Sequence, residues 1–378
     1  MVGGGRVGEA ATLALAREGW DVAWVAPAEA PNPAEDWDAR LYAVSPGSRD
    51  WLRDLGAWAG VDAARTCDVL AMRVSGDDGQ AQIVFDATEA RMPRLATLVE
   101  SRELARGLAQ ALAGASHARV HDRVVALESG AGRARLRLAG GGLLEAALVV
   151  AADGADSPLR AMAGLRVRGH PYGHTGVVAN LRAQVDHRGV ARQWFLGDAV
   201  LALLPLPGGL RSMVWSTGDD HANWLLGLAP GELALEIERV TAGEAGEVEL
   251  LAPARGFALR LQQAERCVAD RVALVGDAAH VVHPLAGQGL NLGLGDCRDL
   301  AAVLAERGPE TDPGARALLE RYARRRAEPV ATMRLATDGL FRLFSSRWPG
   351  ASLLRNRGLA LVDGAPLVKR WLATRAVA

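Results

Sequence analysis

One stretch decides how this chain folds: Arg271-Val-Ala-Leu-Val-Gly-Asp-Ala-Ala-His280-Val-Val-His-Pro-Leu-Ala-Gly-Gln-Gly-Leu290-Asn-Leu-Gly-Leu. It predicts a buried strand over residues 272–275, which ends at Gly276 and Asp277 before a turn and a long helix. An aspartate at the carboxyl end of a parallel strand points into the crevice where α/β sheets bind ligands. The helix beginning near Leu290 directs its positive end at the same place. The glycines that would let backbone approach a flat ligand closely are Gly287, Gly289 and Gly293.

This combination of a hydroxyl acceptor, bare backbone and an anion-binding helix end suits FAD. The amino terminus supplies the complementary half, because Gly3, Gly5 and Gly8 have the G-x-G-x-x-G spacing of a dinucleotide-binding turn. A helix over residues 9–18 and a strand over residues 21–25 are predicted to follow. In such turns the first glycine allows a tight bend, the second admits a pyrophosphate, and the third packs helix against sheet.

Two departures weaken this turn as a nucleotide site. Only Met1 and Val2 precede the glycines, so we expect the first strand to be nearly absent and the chain to be clipped at its start. The strand end that should carry an acidic residue for the ribose hydroxyls has Val25-Ala26-Pro27 instead. Glu29 follows, but its spacing is late for that role.

A third segment lies between these two. Residues 148–152 predict an apolar strand that ends at Asp153 and Gly154. A helix follows, with Ser157 as its cap and Pro158 at its first position. Alone this is an ordinary strand-to-helix turn, but together with the other two segments it indicates a particular class of flavoprotein.

In order and spacing, the three segments resemble the dinucleotide-binding, Asp-Gly and Gly-Asp fingerprints of single-component flavoprotein aromatic hydroxylases, the p-hydroxybenzoate hydroxylase class. The block His283-Pro-Leu-Ala-Gly-Gln-Gly-Leu-Asn291 is similar almost letter for letter to the signature of the ubiquinone-biosynthesis ring hydroxylases. The resemblance covers essentially the whole chain. Further matching blocks are Asp38-Ala-Arg40-Leu-Tyr-Ala-Val-Ser45, Leu98-Val-Glu100-Ser-Arg102-Glu-Leu104, Ala202-Leu-Leu-Pro205, Val214-Trp215-Ser216, Leu354-Arg-Asn356 and Pro366-Leu-Val-Lys369.

The resemblance implies an α/β chain with a Rossmann-like FAD-binding domain, an inserted α+β sheet substrate domain and a helical carboxyl-terminal region. We expect the FAD-binding domain to comprise residues 1–67, 95–165 and 268–378. The substrate domain would comprise residues 68–94 and 166–267. After Leu290 the pattern is helical, with helices predicted over residues 290–306 and over residues 313–327, the latter capped by Asp312.

The activity implied is that of an FAD-dependent monooxygenase. It would hydroxylate the aromatic ring of a polyprenyl-phenol intermediate in ubiquinone biosynthesis, using NAD(P)H and O2 through a flavin C4a-hydroperoxide. No second dinucleotide motif is present, so NAD(P)H would dock transiently against the flavin. An apolar tunnel for the prenyl tail would be lined by Trp194, Phe195, Leu203 and Trp215.

Site residues follow from the same resemblance. Asp277 would bind the ribityl chain, Arg40 and Arg102 would pair with the phosphate or adenosine region, and Asp153 would line the groove. The catalytic positions would be Pro284 and Leu285, as the wall between flavin and substrate, and Gly289. The expected cofactor contacts are Gly3, Gly5, Gly8, Arg40, Arg102, Asp153, Gly276, Asp277, Gly287, Gly289, Leu290 and Asn291.

Composition agrees with a large enzyme. The 378 residues are 49% hydrophobic with a net charge of −1, which indicates a globular protein and excludes a typical nucleic-acid binder. Lys369 is the sole lysine. Since no apolar run reaches the roughly 18 residues of a membrane span, we expect a cytoplasmic protein. Peripheral contact with the inner membrane, a ubiquinone-biosynthesis complex or a homo-oligomer all stay open as partners.

Some of the polar residues, and the function itself, have a second interpretation. His280 and His283 have H-x-x-H spacing, but a third ligand is missing and Pro284 places the segment in a loop, so we expect no metal. Glu100 is expected to interact with the dipole of the helix that it opens. Two other functions stay open: a related hydroxylase of a soluble aromatic substrate, and a non-catalytic subunit of a ubiquinone-synthesis complex, which the short first strand suggests.

Overall fold

The computed structural model describes residues 1–28, 37–77, 81–130, 132–283, 287–308 and 310–345, with side chains described as far as residue 339. The helices of this part are α1 (Arg6–Arg17), α2 (Pro46–Asp54), α3 (Ser101–Ala113), α4 (Pro158–Met162), α5 (Asp219–Gly227), α6 (Pro230–Val240), α7 (Gly289–Ala305) and α8 (Arg316–Ser345). The strands are β1 (Ala23–Val25), β2 (Leu41–Val44), β3 (Thr66–Val69), β4 (Ala71–Ser75), β5 (Gln82–Asp86), β6 (Ala96–Glu100), β7 (Ala118–Val120), β8 (Val124–Ser129), β9 (Ala134–Leu138), β10 (Leu143–Ala146), β11 (Val149–Ala151), β12 (Val167–Ala183), β13 (Val190–Leu196), β14 (Ala199–Pro205), β15 (Leu210–Gly218), β16 (Val248–Leu250), β17 (Arg255–Ala264), β18 (Val268–Ala269), β19 (Val272–Leu274) and β20 (His280–Val281).

The first strand is as short as expected, yet it occupies the centre of the parallel sheet. Val2 forms parallel bridges with Val25 of β1 and with Ala151 of β11. The sheet therefore runs in the order β7, β1, Val2, β11, β19 and β18, with β18 antiparallel. The Met1 amine donates to the Ala23 carbonyl at 2.8 Å, and burial lowers the pKa of this amine to about 5.

Helices α1 and α7 pack together beside the parallel sheet. Helix α1 begins at Arg6, directly after the glycine-rich turn and earlier than predicted, and it buries Ala10, Leu13 and Ala14. Buried residues of α7 pack in the same cores as α1, and Leu290 and Leu294 share a cluster with Leu13. These contacts fix the starts of α1 and α7 close to one edge of the sheet.

A second, nine-stranded sheet runs in the order β20, β17, β12, β15, β14, β13, β4 and β5, with β16 paired to β12. One face is buried by α5 and α6. Asn180 of β12 points to the other face of this sheet. Its side chain donates to the backbone carbonyls of Trp37 and Asp38, at 3.3 and 3.1 Å. That face therefore contacts the segment that leads into β2.

The expected tunnel lining is wrong for three of its four residues. Trp194, Leu203 and Trp215 lie in the core beneath α5 and α6. Phe195 packs in a different cluster, with Val74 and Ile83. Neighbouring residues of a strand point to opposite faces, so Trp194 and Phe195 cannot line one tunnel.

Domain boundaries stay predictions, which sheet membership partly supports. β4 and β5 join the nine-stranded sheet, as expected if residues 68–94 belong to the substrate unit. β20, within the range 268–378, also pairs with that sheet through β17. The two units thus share a seam immediately after the Gly-Asp turn.

The carboxyl-terminal helix differs from its prediction. Helix α8 begins at Arg316 and continues through Pro329, beyond the end predicted at residue 327. Tyr322 donates to the Leu274 carbonyl at 2.8 Å and anchors this helix to β19. Asp312 does not cap it, but instead binds the guanidinium of Arg271 at 3.0 Å. Within the described ranges, no helix is both long and apolar enough to cross a bilayer.

Candidate cofactor and active site

The three glycines of the amino-terminal turn differ in their surroundings. Gly3 has a φ of 129°, and a Cβ there would lie 2.1 Å from the Ala152 carbonyl oxygen. A Cβ on Gly8 would lie 2.3 Å from the carbonyl oxygen of Gly3. At Gly5, by contrast, no described atom lies within 4 Å of a Cβ position. Gly3 and Gly8 are therefore required by the fold itself, whereas Gly5 leaves space at the start of α1.

Gly5 is the N-cap residue of α1, and no side chain caps the start of this helix. The first N–H groups of a helix have no intrahelical acceptor, and the helix dipole adds positive potential there. Bare amides beside an open glycine suit the approach of a pyrophosphate. The turn thus fits the diphosphate of FAD.

The turn at the end of β19 contacts α1 and α7 through one residue that sequence reasoning missed. A Cβ on Gly276 would lie 3.0 Å from Val7 Cγ1, and one on Gly293 would lie 2.7 Å from Val7 Cγ2. Gly293 therefore packs α7 against α1, and the expectation that it admits a ligand is wrong. The signal for Val7 was its place directly before the third glycine of the turn.

These surroundings separate folding from cofactor binding at the first turn. We expect Gly5→Ala to lower the stability of the FAD-free protein by less than about 1 kcal/mol, since alanine is only a poorer helix cap. Its FAD affinity should fall at least about tenfold, because the methyl group occupies the pyrophosphate approach. Gly8→Ala, which overlaps backbone, should cost roughly 1–3 kcal/mol or more in stability. Flavin fluorescence titration and thermal unfolding measure the two effects. Wild-type FAD affinity in Gly5→Ala would exclude this turn as the diphosphate site.

Asp277 lies in a short helical turn, Gly276–Ala278, at the carboxyl end of β19. Its side chain is exposed to the cleft but surrounded by protein, and desolvation raises the pKa of its carboxyl despite the charges of His280, Arg40 and Arg260. Arg40 itself is exposed, with its guanidinium carbon 6.0 Å from the centre of the Phe257 ring. The structure thus places the expected ribityl acceptor and one expected phosphate partner near each other.

Helix α7 begins at Gly289 without a side-chain cap from Gln288. The side chain of Asn291 is used internally, because its Nδ2 donates to the Ala43 carbonyl at 2.8 Å and its Oδ1 accepts from Ser45 N–H at 2.9 Å. The backbone amides of the first turn lack intrahelical acceptors. No described atom lies within 4 Å of a Cβ built on Gly289. This helix start can therefore donate to an electronegative ring edge.

Two of the expected cofactor contacts, Arg102 and Asp153, also have partners within the protein. Glu100 is fully buried and accepts from Asp38 N–H at 2.5 Å, from Arg65 Nε at 2.5 Å and from Arg102 Nη2 at 3.2 Å. Glu100 therefore binds two arginines and the Asp38 amide, in addition to any interaction with the dipole of the helix that it opens. Asp153 accepts from Ser157 Oγ at 2.5 Å and from a backbone N–H of α4 at 3.0 Å. Its position orders the Asp-Gly turn.

This chain is similar to known proteins over nearly its whole length. A family model described as an FAD binding domain matches residues 1–336. The chain is 35% identical over 377 residues to 3-demethoxyubiquinol 3-hydroxylase of Escherichia coli, which covers 98% of this chain and 95% of that protein. It is 34% identical over 386 residues to ubiquinone hydroxylase UbiL of Rhodospirillum rubrum, covering 100% and 88%.

The chain belongs to the ubiquinone-biosynthesis aromatic-ring hydroxylase family. It is an FAD-dependent monooxygenase, and the family prediction made from the sequence is confirmed. The human ubiquinone biosynthesis monooxygenase COQ6, a mitochondrial protein, is 30% identical over 392 residues, covering 90% of this hydroxylase and 82% of COQ6.

Solved structures confirm the p-hydroxybenzoate hydroxylase-like fold of this hydroxylase. PqsL of Pseudomonas aeruginosa, a probable FAD-dependent monooxygenase, superposes with a TM-score of 0.78 at 22% identity, over 95% of this chain and 98% of PqsL. Klebsiella pneumoniae HpxO, solved with FAD and uric acid, gives 0.75 at 19% identity, over 98% and 96%. At these identities the likeness concerns the fold alone.

A buried polar network lies beneath the Gly-Asp turn of the hydroxylase. Asp296 of α7, 1% exposed, accepts from Gly276 N–H at 2.8 Å, His280 Nε2 at 2.7 Å and Arg326 Nε at 2.6 Å. Burial opposes ionisation of Asp296, but these partners outweigh it and lower the pKa of its carboxyl. Sequence reasoning missed Asp296 and Arg326. His280 is thus a hydrogen-bond partner of Asp296.

His283 lies at the seam between the two units of the hydroxylase. Its ring packs edge-on against Tyr172 of β12, with centroids 4.8 Å apart. Burial lowers the pKa of His283 to about 4, so the imidazole is neutral at physiological pH. Tyr172 donates to Asp338 of α8 at 3.3 Å. The expected wall residues Pro284 and Leu285 lie outside the described residues, as do residues 346–378 of the carboxyl end.

Proposed function

We propose that this enzyme hydroxylates the aromatic ring of a polyprenyl phenol in ubiquinone biosynthesis, with NAD(P)H as reductant and O2 as oxygen donor. Similarity over nearly the full length of relatives named for this chemistry supports the proposal. The observation that carries it is the packing of the glycine-rich turn, the Gly-Asp turn and α7 around Val7. That packing brings a bare helix start and a cleft-facing carboxylate to one edge of the sheet.

The residues present fit FAD. The open position at Gly5 and the uncapped start of α1 suit its pyrophosphate. Asp277 suits a ribityl hydroxyl, and Arg40 lies close enough to interact with its charge. Gly276 and Gly287 have φ values of 61°, a backbone conformation that favours glycine at both positions. In the proposal Arg102 and Asp153 border the adenosine side of the groove, in addition to their protein contacts.

When bound, FAD accepts a hydride from NAD(P)H and activates O2 for transfer of one oxygen atom to an electron-rich ring, the other leaving as water. The chain's own groups supply position and charge. Amides at Gly289, Leu290 and Asn291 would stabilise negative charge at the pyrimidine edge. Pro284 and Leu285 would separate this edge from the substrate and exclude water. Residues 1–67, 95–165 and 268–378 would bind the cofactor, and residues 68–94 and 166–267 would shape the substrate site.

The tail of the substrate adds a further part to the proposal. A polyprenyl phenol partitions into a bilayer, so we place this cytoplasmic enzyme in peripheral contact with the inner membrane, or in a complex that delivers the substrate. The carboxyl end, where Trp348 and Trp371 lie among several arginines, is the proposed contact segment.

Quinone analysis tests this function directly. A strain of the source organism lacking the gene should accumulate a prenylated phenol one hydroxyl short of the next intermediate. A plasmid carrying the wild-type gene should restore ubiquinone. With purified enzyme, NAD(P)H oxidation coupled to product formation should be at least about tenfold more efficient with a prenylated phenol than with its tail-less analogue, because the tail contributes apolar binding energy. Equal efficiency would favour the soluble-substrate alternative. A colourless protein that copurifies with pathway enzymes would favour the non-catalytic one.

A further inference from the structure

A cluster of arginines lies on the substrate unit, around a surface cavity of about 350 Å³. Arg73 of β4 and Arg192 of β13 are direct partners in the parallel register, and both line the cavity together with Arg188. Arg211 of β15 lies next to it, because its Nη2 donates at 2.8 Å to the carbonyl of Val185, which also lines the cavity. We call these four residues the arginine cluster.

Arg211 is the least satisfied member of the cluster. Its side chain is 1% exposed. Beyond the bond from Nη2, its Nε and Nη1 are shielded from solvent and have no acceptor in the described part of the chain. A guanidinium presents five N–H donors, and leaving charged donors unsatisfied in the interior is costly. Burial and the charge of Arg192 also lower the pKa of Arg211.

The surrounding carboxylates do not balance this charge. Glu244 pairs with Arg192, and Asp186 lies in the loop before β13, where its carboxylate accepts from the Arg188 N–H at 3.0 Å. Among the described residues, four arginines therefore face two carboxylates, in a protein whose net charge is −1. Both ring nitrogens of His187 are used within the chain, Nε2 with the Leu206 carbonyl at 2.7 Å and Nδ1 with the Gly189 N–H at 3.0 Å.

Position separates the cluster from the flavin cleft. Arg192 pairs with Leu203 and Arg211 with Pro205 in the antiparallel register of β14, on the strand positions that α5 and α6 cover. The positions that face the cofactor unit have the opposite parity, as at Asn180. The cluster thus belongs to the outer side of the nine-stranded sheet, and its charge does not act at the reacting ring.

We propose that the arginine cluster binds a phosphate-class anion, either a soluble phosphate or the headgroup of an anionic lipid. Planar guanidinium groups match phosphate oxygens two at a time, and several in one cavity distinguish a phosphate from a simple halide. The cavity volume suits a pyrophosphate or a headgroup. A bound anion would offset the repulsion among Arg73, Arg188 and Arg192 and compensate the buried charge of Arg211 beside them.

The test uses the FAD-loaded full chain. Pyrophosphate, added against potassium chloride of equal ionic strength, should raise the thermal midpoint of the wild type and show saturable binding by calorimetry. Arg192→Gln and Arg73→Gln should each weaken pyrophosphate binding at least about tenfold, by loss of charge-assisted hydrogen bonds. The matched control is Arg182→Gln, since Arg182 is an exposed arginine of β12 on the same sheet, 3.8 Å from Glu249. It should bind as the wild type does.

A second variant keeps the proposal independent of folding defects. Arg211→Met removes the buried cation and should be at least as stable as the wild type without phosphate, yet gain less stability from phosphate than the wild type does. Flotation with phosphatidylglycerol vesicles against phosphatidylcholine vesicles separates the sources. Vesicle binding lost in Arg73→Gln identifies a lipid headgroup, whereas pyrophosphate binding alone identifies a soluble phosphate. If neither phosphate nor vesicles exceed the chloride control, or if Arg182→Gln loses as much as Arg73→Gln, the proposal is overturned.

Discussion

Asp277→Ala is expected to give a folded protein that purifies without yellow colour. The carboxylate lies in the turn directly after β19, and its loss removes the proposed hydrogen bond between a charged group and a cofactor hydroxyl. Such bonds contribute about 1.5–3 kcal/mol, so FAD affinity should fall roughly 10- to 150-fold. Flavin absorbance of the purified protein and fluorescence titration of the FAD-free protein measure this loss.

The matched control is Asp270→Ala, at the other end of the same strand. Asp270 is exposed and precedes β19, so its replacement removes the same charge without touching the cleft. It should retain FAD. A pH series adds a second readout: desolvation raises the pKa of Asp277, so wild-type FAD affinity should decline as pH falls through that pKa, and this decline should be absent in Asp277→Asn. Wild-type flavin content in Asp277→Ala would contradict the site assignment.

The largest loss of stability is expected for Asp296→Ala. This change leaves His280, Arg326 and the Gly276 N–H without their shared acceptor, in a region closed to solvent. Removing one partner of a buried charged pair typically costs about 3–5 kcal/mol, and we expect the lower end because Arg326 keeps its contact with Asp299. The urea midpoint of the FAD-free protein should fall accordingly, and FAD binding should weaken because the Gly-Asp turn loses its anchor.

Asp299→Ala provides the comparison within the same helix. Asp299 also binds Arg326, at 2.8 Å, but its side chain is 23% exposed and it binds neither Gly276 nor His280 in the described structure. Because solvent can replace it, the cost should be about 1 kcal/mol or less. Equal destabilisation by the two substitutions would show that Asp296 is not the centre of the network.

The cofactor side of the molecule could be predicted because its requirements are local. A G-x-G-x-x-G turn, an Asp-Gly turn and a Gly-Asp turn each specify a short backbone path, and the structure brings all three to one sheet edge. Val7, Asp296 and Arg326 could not be found in this way. Their roles depend on partners far along the chain, such as the thirty positions that separate Asp296 from Arg326. A charged residue in a helical pattern is normally expected on the solvated face.

The errors in the other unit have a different cause. A strand alternates sides at every residue, so the choice between two faces depends on which one the helices cover. The sequence does not show which face of the sheet α5 and α6 cover, and the tunnel prediction therefore places Trp194 and Phe195 on a single surface. At Pro329 the helix-breaking tendency of proline was outweighed by tertiary contacts, since Tyr322 and Arg326 fasten α8 to β19 and α7.

In protein prepared with Met1 as its first residue, the terminal amine is buried within the parallel sheet and can report on the opening of that sheet. Its proton is lost well below neutrality, so it is nucleophilic at pH 7, but the sheet encloses it. Lys369 carries the one other primary amine of the chain. Acylation by a small activated ester should therefore modify the amino end at the rate at which the first strand leaves its neighbours. The rate at which mass spectrometry detects that adduct therefore measures the opening rate of the cofactor-binding sheet. Bound flavin should slow the formation of the adduct.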